Sequence, residues 1–365
     1  MTGASLFEDE SIVDALSILA NSSNVSLQMS AAVGFCEALE NADIKRINFK
    51  MLKPILHLIK SESVGVQGNA LAALCDNALL IVRYGALIPL IRVMISPPSE
   101  TLYFAAFCLA LLAEQDRNKG IIARSGSLVP LLNLSQSKDV RVQGVAMGTL
   151  ADLSLIQENV QPLVDAGSIP IIAKLLRTSS LEIQVYSTVI LNSIAFDQPS
   201  LKRLTLTEVE LVDPLLTLSG SIDIRVRRGV AIVLGSLANE GYFRNKIIGK
   251  GGLRSLHKLL LSTDQVTILG SLTCINQISD RPQYQSQLIG GKFLGRLKEL
   301  LAYDEMEEIR SRAAFTLSTL AIYGEPGRVA LVEAGVVECA RNLVQSASPN
   351  TQAFTETTID IARHA

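Results

Sequence analysis

The chain is 365 residues long, contains no tryptophan and has only 5% aromatic residues. A few large rings therefore cannot hold its core. With 48% hydrophobic residues, burial has to come from many contacts among Leu, Ile, Val and Ala, which suits close-packed helices. Charge of one sign is also lacking: 33 basic against 35 acidic residues leave −2. No net pull toward nucleic acid or anionic lipid follows from that balance. Long apolar runs are missing, since residues 77–95 carry Arg83 and Arg92 and residues 101–113 are too short to span a bilayer. Thr2 stands where myristoylation needs Gly. Glu8, Asp9 and Glu10 fall where a secretory signal would be basic and then apolar, so neither signal is expected. The five cysteines, Cys36, Cys75, Cys108, Cys274 and Cys339, are odd in number and far apart. That spacing argues against a disulfide framework and for reduced, buried thiols in the cytosol. Finally, no Pro/Gly/Ser-rich stretch or charge block divides the chain, so one domain, 1–365, is expected.

What is present is a phrase that returns about every forty residues. Its clearest copies are SGSLVPLLNLSQSKDVRVQGVAMGTLADLS at residues 125–154 and AGSIPIIAKLLRTSSLEIQVYSTVILNSIA at residues 166–195. Pro54, Pro89, Pro130, Pro170 and Pro214 mark it, followed by Arg254, Gly295 and Glu338 in the same place. Proline fits the first turn of a helix, where its missing N–H would be unpaired anyway, so each landmark predicts a helix start. Gly85, Gly126, Gly167, Gly252 and Gly335 precede it and permit a sharp turn out of a short earlier helix. A polar break such as residues 135–139 then leads to a long helix, with apolar residues three and four apart. Ala70, Ala105, Ala146, Ala231 and Ala313 on that helix predict close approach of neighbouring axes. The period predicts an all-α solenoid of about nine repeats, with a partial first unit over 12–41 and a capping last unit over 325–365. In the final helix Thr355 and Thr358 replace Ala, and Glu356, Asp360 and Arg363 add polarity, which predicts an outward-facing cap.

The AGSIP and VQGNALAAL phrases resemble armadillo repeats, which implies a right-handed superhelical solenoid with a short first helix and two longer ones. Other segments resemble the fungal vacuolar protein 8 family: MLKPILHLIKSE, LTLTEVELVDPLLTL at residues 204–218, LTCINQIS at residues 272–279 and ELLAYDEMEEIRSRAAFTLSTLA. That resemblance implies a non-enzymatic scaffold on the cytosolic face of the vacuole, holding partners for vacuole inheritance, organelle contact and autophagy. In armadillo proteins that grip extended peptides, an Asn near the end of each third helix clamps the peptide backbone, donating and accepting together. The corresponding places here are Glu37, Asp76, Leu111, Asp152, Ser193, Ser236, Gln277 and Thr319. None is Asn, and Asn192 stands one place early, about 100° around the helix. The family's adjoining Arg is replaced by Gly235, Asn276 and Ser318. Three readings stay open. Glu37, Asp76 and Asp152 form an acidic groove for a Lys/Arg-bearing segment; or these positions are a solvated surface no longer used for clamping; or Gln277 and the hydroxyls of Ser193, Ser236 and Thr319 supply an altered ladder. Importin-alpha-like or catenin-like reception of a basic peptide is the alternative to the vacuolar adaptor.

Nothing converges on catalysis. His57 and His257 occupy equivalent places in distant repeats, and His364 has no Cys companion, so no metal site is expected. Residues 249–252, GKGG, lack the strand before and the Lys-Ser/Thr after that a phosphate loop requires. Arg225, Arg227 and Arg228, with Arg310 and Arg312, lie near starts of third helices, and Arg141 holds the same place earlier. They read either as a basic edge for an acidic partner or membrane, or as a solvated edge among Asp223, Glu307 and Glu308. The expected partners are protein or peptide segments, self-association included, with no cofactor and no nucleic acid. Membrane contact would come only through a partner or an anchor outside this sequence.

Overall fold

The computed structural model describes residues 10–40, 49–59, 61–75, 87–95, 100–206, 209–303, 306–322, 324–344 and 348–362. They fall into two compact units, Met1–Ile171 and Ile172–Ala365. All regular structure among the described residues is helical. The first unit runs α1 (Glu10–Ala20), α2 (Val25–Glu40), α3 (Phe49–Leu58), α4 (Val64–Cys75), α5 (Leu87–Ile95), α6 (Glu100–Ala113), α7 (Asp116–Ile122), α8 (Leu128–Leu134), α9 (Val140–Ser154) and α10 (Gln157–Asp165). Helix α11 (Ser168–Leu175) contains the boundary. The second unit continues with α12 (Leu181–Phe196), α13 (Gln198–Leu206), α14 (Val212–Leu218), α15 (Ile224–Leu237), α16 (Gly241–Gly249) and α17 (Gly252–Leu260). It closes with α18 (Gln265–Ser279), α19 (Pro282–Leu288), α20 (Gly291–Leu301), α21 (Glu307–Ile322), α22 (Glu325–Glu333), α23 (Val336–Leu343) and α24 (Pro349–Ala362).

Within each unit the third helix of one repeat packs on the third helix of the next. The series is α2, α4, α6 and α9 in the first unit, and α12, α15, α18, α21 and α24 in the second. Pro130 and Pro214 sit in the first turns of α8 and α14, where proline is tolerated. Pro54 differs: it lies inside α3, which begins at Phe49. Second helices vary in length: α8 has 7 residues and α20 has 11, against 15 and 16 for the third helices α9 and α21. The two turns of α8 bury Leu128, Leu131, Leu132 and Leu134. The preceding turn depends on glycine at positive φ, with Gly126 at 87°, Gly167 at 85° and Gly335 at 68°. In the copy near residue 250 that role falls to Gly251 (φ 73°) rather than Gly252. Gly252 is needed for space instead, because a Cβ there would meet the Ile247 carbonyl at 2.5 Å.

The polar break before α9, α12, α15 and α18 is a capping device. Asp139, Asp223 and Asp264 accept from Arg141 N, Arg225 N and Thr267 N, and Ser180 accepts from Ile183 N. A second device explains the Val-Gln phrase. Gln143 Nε2 donates back to Ser135 O at 2.9 Å, Gln67 to Ser61 O at 2.6 Å and Gln184 to Thr178 O at 2.6 Å. Arg227 does the same toward Ser221 O at 2.7 Å. The other junction is latched likewise, from first helix to the end of the third helix before it. Asn118 donates to Leu112 O, Asn159 to Leu153 O, Arg244 to Ala238 O and Gln285 to Ser279 O, each across six residues. Carbonyls at a helix end have no intrahelical donor, and a buried one left unpaired costs about 1–3 kcal/mol.

Between third helices small residues set the spacing. Ala70, Ala105, Ala146, Ala231 and Ala313 are fully buried, and glycine serves the same end where backbones meet. A Cβ on Gly270 of α18 would lie 2.7 Å from the Ala231 carbonyl carbon of α15. Two sequence expectations change. Cys108 is disulfide-bonded rather than reduced. Thr355 and Thr358 of α24 are buried, not outward, each satisfying its hydroxyl on a carbonyl of its own helix, Thr351 O and Phe354 O. Arg363 lies outside the described residues.

One ion pair ties two repeats and carries a pH signature. Arg228 of α15 donates to both oxygens of Asp264, the cap of α18, at 2.6 and 3.2 Å. The Arg228 guanidinium, helped by Thr267, holds the Asp264 carboxyl down at about 2 against an ordinary 3.8. A depressed carboxylate stabilises the fold above its unfolded pKa, and that contribution disappears as pH falls from 3.8 toward 2. Arg228 is 45% exposed, so solvent screening limits the effect to about 1 kcal/mol. Asp264→Asn, which keeps an acceptor for the cap, should lower the urea midpoint at pH 7 and converge on the parent near pH 2; an equal deficit at both pH values contradicts this assignment.

Candidate partner-binding surface

In the first unit the clamp places lie at the ends of α2, α4, α6 and α9. Glu37 is exposed on α2, Leu111 is half-buried on α6 and Asp152 is half-buried on α9; Asp76 lies outside the described residues. Burial pushes the Asp152 carboxyl above its ordinary value. The nearby Glu114 carboxylate adds to that rise and the Lys119 ammonium opposes it. Lys119 is itself buried and paired with Asp116 at 2.7 Å, so its charge is already shared. The end of α9 thus carries a carboxylate that is charged at a cost and short of a cation.

In the second unit the places fall on α12, α15, α18 and α21, and their polar atoms are turned inward. Ser236 Oγ donates to Asn192 Oδ1 at 3.1 Å, which joins α15 to α12 and shows where Asn192 points: at the adjacent third helix. Thr316 donates to Asn276 Oδ1, joining α21 to α18. Thr319 is buried and donates to Phe315 O of its own helix, and Ser193 does the same toward Val189 O. Gln277 is half-buried and its amide has no partner among the described residues; the amide nitrogens of Asn192 and Asn276 are likewise unengaged there. One turn earlier on each helix stand Val189, Ile232, Thr273 and Phe315, all half-buried. This face offers apolar surface with amide donors between, and few acceptors.

The arginines read as a basic edge are occupied. Arg225 pairs with Asp223 at 2.8 Å, Arg227 donates to Ser221 O and Ile222 O, and Arg228 holds Asp264. Arg310 is buried against Tyr303 O with Glu307 at 3.5 Å. Arg312 bridges Glu308 and Thr273 Oγ1, both at 2.8 Å. Arg141 pairs with Asp139 at 3.0 Å. The sequence places these cations together but does not reveal that each has an acceptor within reach; the aspartate two residues before Arg141 and Arg225 is the signal that marks such closed pairs.

No cluster of three or more His, Cys, Asp or Glu residues suited to a metal ion occurs among the described residues. Burial pushes the Cys274 thiol up to about 12, which makes it inert as a nucleophile at neutral pH. Lys250, in the glycine-rich turn, is tied to Asp213 at 2.7 Å. No described helix is long and apolar enough to cross a membrane.

No model of a protein family matches the chain. Among curated proteins it is 37% identical over 352 residues to "Vacuolar protein 8" of Schizosaccharomyces pombe, covering 95% of this chain and 64% of that protein. It is 40% identical over 142 residues to the protein of the same name from Candida albicans, covering 39% and 24%. The chain therefore spans less than two thirds of the length of these relatives. A crystal structure of an engineered protein superposes with a TM-score of 0.81 at 25% identity, over 96% of this chain and 88% of that one. A designed armadillo repeat protein in complex with the peptide (KR)4 gives 0.59 at 22% identity, over 65% and 100%. The repeat geometry and the likeness along nearly the whole chain lead to one assignment: this is an armadillo-repeat protein and a homologue of the vacuolar protein 8 proteins.

Proposed function

We propose that the chain is a non-enzymatic scaffold, one continuous array over 1–365, that docks partner proteins at the cytosolic face of the vacuole. The observation that carries the reading is the third-helix face of the second unit, where Val189, Ile232 and Phe315 remain half-exposed while Ser236, Asn276 and Thr319 have spent their hydroxyls or carbonyl on the chain itself. Such a face recognises apolar side chains and accepts hydrogen bonds poorly, so a partner would bind by its side chains rather than by a clamped backbone. Kinship with vacuolar protein 8 supports the adaptor role and its compartment, and with it service in vacuole inheritance, organelle contact and autophagy. Val189→Glu with Ile232→Glu should weaken a partner recovered from fungal extract by about tenfold or more, as loss of a central contact does, with the melting temperature checked in parallel. Undiminished affinity in a folded double variant would sink this reading.

A second reading applies to the first unit, on the strength of the raised Asp152 pKa: a lysine- or arginine-bearing segment would relieve the repulsion from Glu114. A raised carboxylate pKa means that ionisation opposes folding above that pKa. Asp152→Asn should therefore leave stability at pH 7 unchanged or slightly higher while weakening a (Lys-Arg)-repeat peptide several-fold in a fluorescence titration. Equal peptide binding by both forms refutes a basic-peptide site here.

A further inference from the structure

Helices α17 and α20 are second helices of adjacent repeats and pack against each other. Between them lies a recess of about 630 Å³ lined by Arg254, His257, Lys258, Gly290, Lys292 and Phe293. Arg254, His257 and Lys258 share one face of α17 at three and four spacing. Lys292 and Phe293 come from the first turn of α20, whose cap is Gly290 and provides no side-chain acceptor. The rings of His257 and Phe293 meet edge to face at 5.4 Å and form an apolar floor. Among the described residues no carboxylate lines the recess. Arg254, Lys258 and Lys292 are exposed and have neither ion pair nor side-chain hydrogen bond among the described residues. Elsewhere in the unit Arg225, Arg228, Lys250, Arg296 and Arg312 are all neutralised by a neighbouring carboxylate.

We propose that this second-helix recess binds an acidic peptide segment of a partner protein, with an apolar side chain on the Phe293–His257 floor and carboxylates against Arg254, Lys258 and Lys292. The volume is that of a specific binding pocket, which ordinarily combines an apolar lining with a few placed polar groups. Three uncompensated cations around it fix the sign of the ligand. A membrane surface fits less well: Phe293 is only 8% exposed, so it cannot insert into a bilayer, and the cations rim a concavity rather than a flat face. The site is independent of the third-helix face, so Val189→Glu with Ile232→Glu should leave it intact.

The test is fluorescence anisotropy of a labelled Glu-Asp-Phe-Asp-Glu peptide titrated with the full chain. Saturable binding is expected, weakened about tenfold or more by Arg254→Glu with Lys292→Glu and by raised salt. Replacing the peptide's Phe by Ala should weaken it about three- to tenfold, and the Gln-Asn-Phe-Asn-Gln peptide should not bind. Arg225→Gln, whose charge is already paired, serves as the control and should change nothing. The proposal is overturned if the acidic peptide fails to bind, if charge reversal at 254 and 292 has no effect in a protein of unchanged circular dichroism, or if vesicles containing anionic lipid compete it away completely while a second acidic peptide does not.

Discussion

A carbonyl at the end of a helix, buried where the chain turns, has to find a donor, and the organisation of this protein follows from how it does so. In repeat after repeat the donor is a side chain six to eight residues further on: Gln143 for Ser135, Asn159 for Leu153, Gln184 for Thr178, Arg244 for Ala238, Gln285 for Ser279. The two kinds of latch close the two sharp junctions of each triplet, and the third helices are then free to pack along their length. Gln and Arg serve interchangeably at these places because the geometry asks only for a long side chain with an N–H at its tip.

That constraint also decides which groups remain for partners. Asn192 and Ser236, Asn276 and Thr316, Arg312 and Thr273, and Arg228 and Asp264 are cross-links between neighbouring third helices. Polar residues on this face hold the array together before they meet anything else. What is left over is distributed differently in the two units. Asp152 carries an uncomfortable negative charge in the first, whereas in the second there is an apolar strip on the third helices and an unneutralised group of cations on the second helices. A solenoid with separate chemistries on separate faces can hold more than one partner.

The repeat itself is plain in the sequence, since Pro130, Pro214 and the turn glycines Gly126 and Gly167 constrain single backbone angles and act locally. Less legible is anything that depends on a neighbour in space. A Gln in the first turn of a long helix reads as a solvated surface residue, although its amide is folded back on the preceding loop. Threonine where Ala is usual reads as an outward cap, although Thr355 and Thr358 hide their hydroxyls on their own helix. The arginine clusters read either as a basic edge or as a solvated one, and the acceptors Asp264 for Arg228 and Thr273 for Arg312 stay hidden because they sit a whole repeat away.

Inward-turned side chains, above all the latches, hold the repeats in shape. Amide hydrogen exchange on the intact chain and on its Gln143→Met variant tests this directly. Methionine keeps the length and apolar stem while removing the donor to Ser135 O. Protection should be lost in the loop of residues 135–139 and the first turn of α9, and retained in the rest of that unit. Unchanged protection across that loop would contradict the claim.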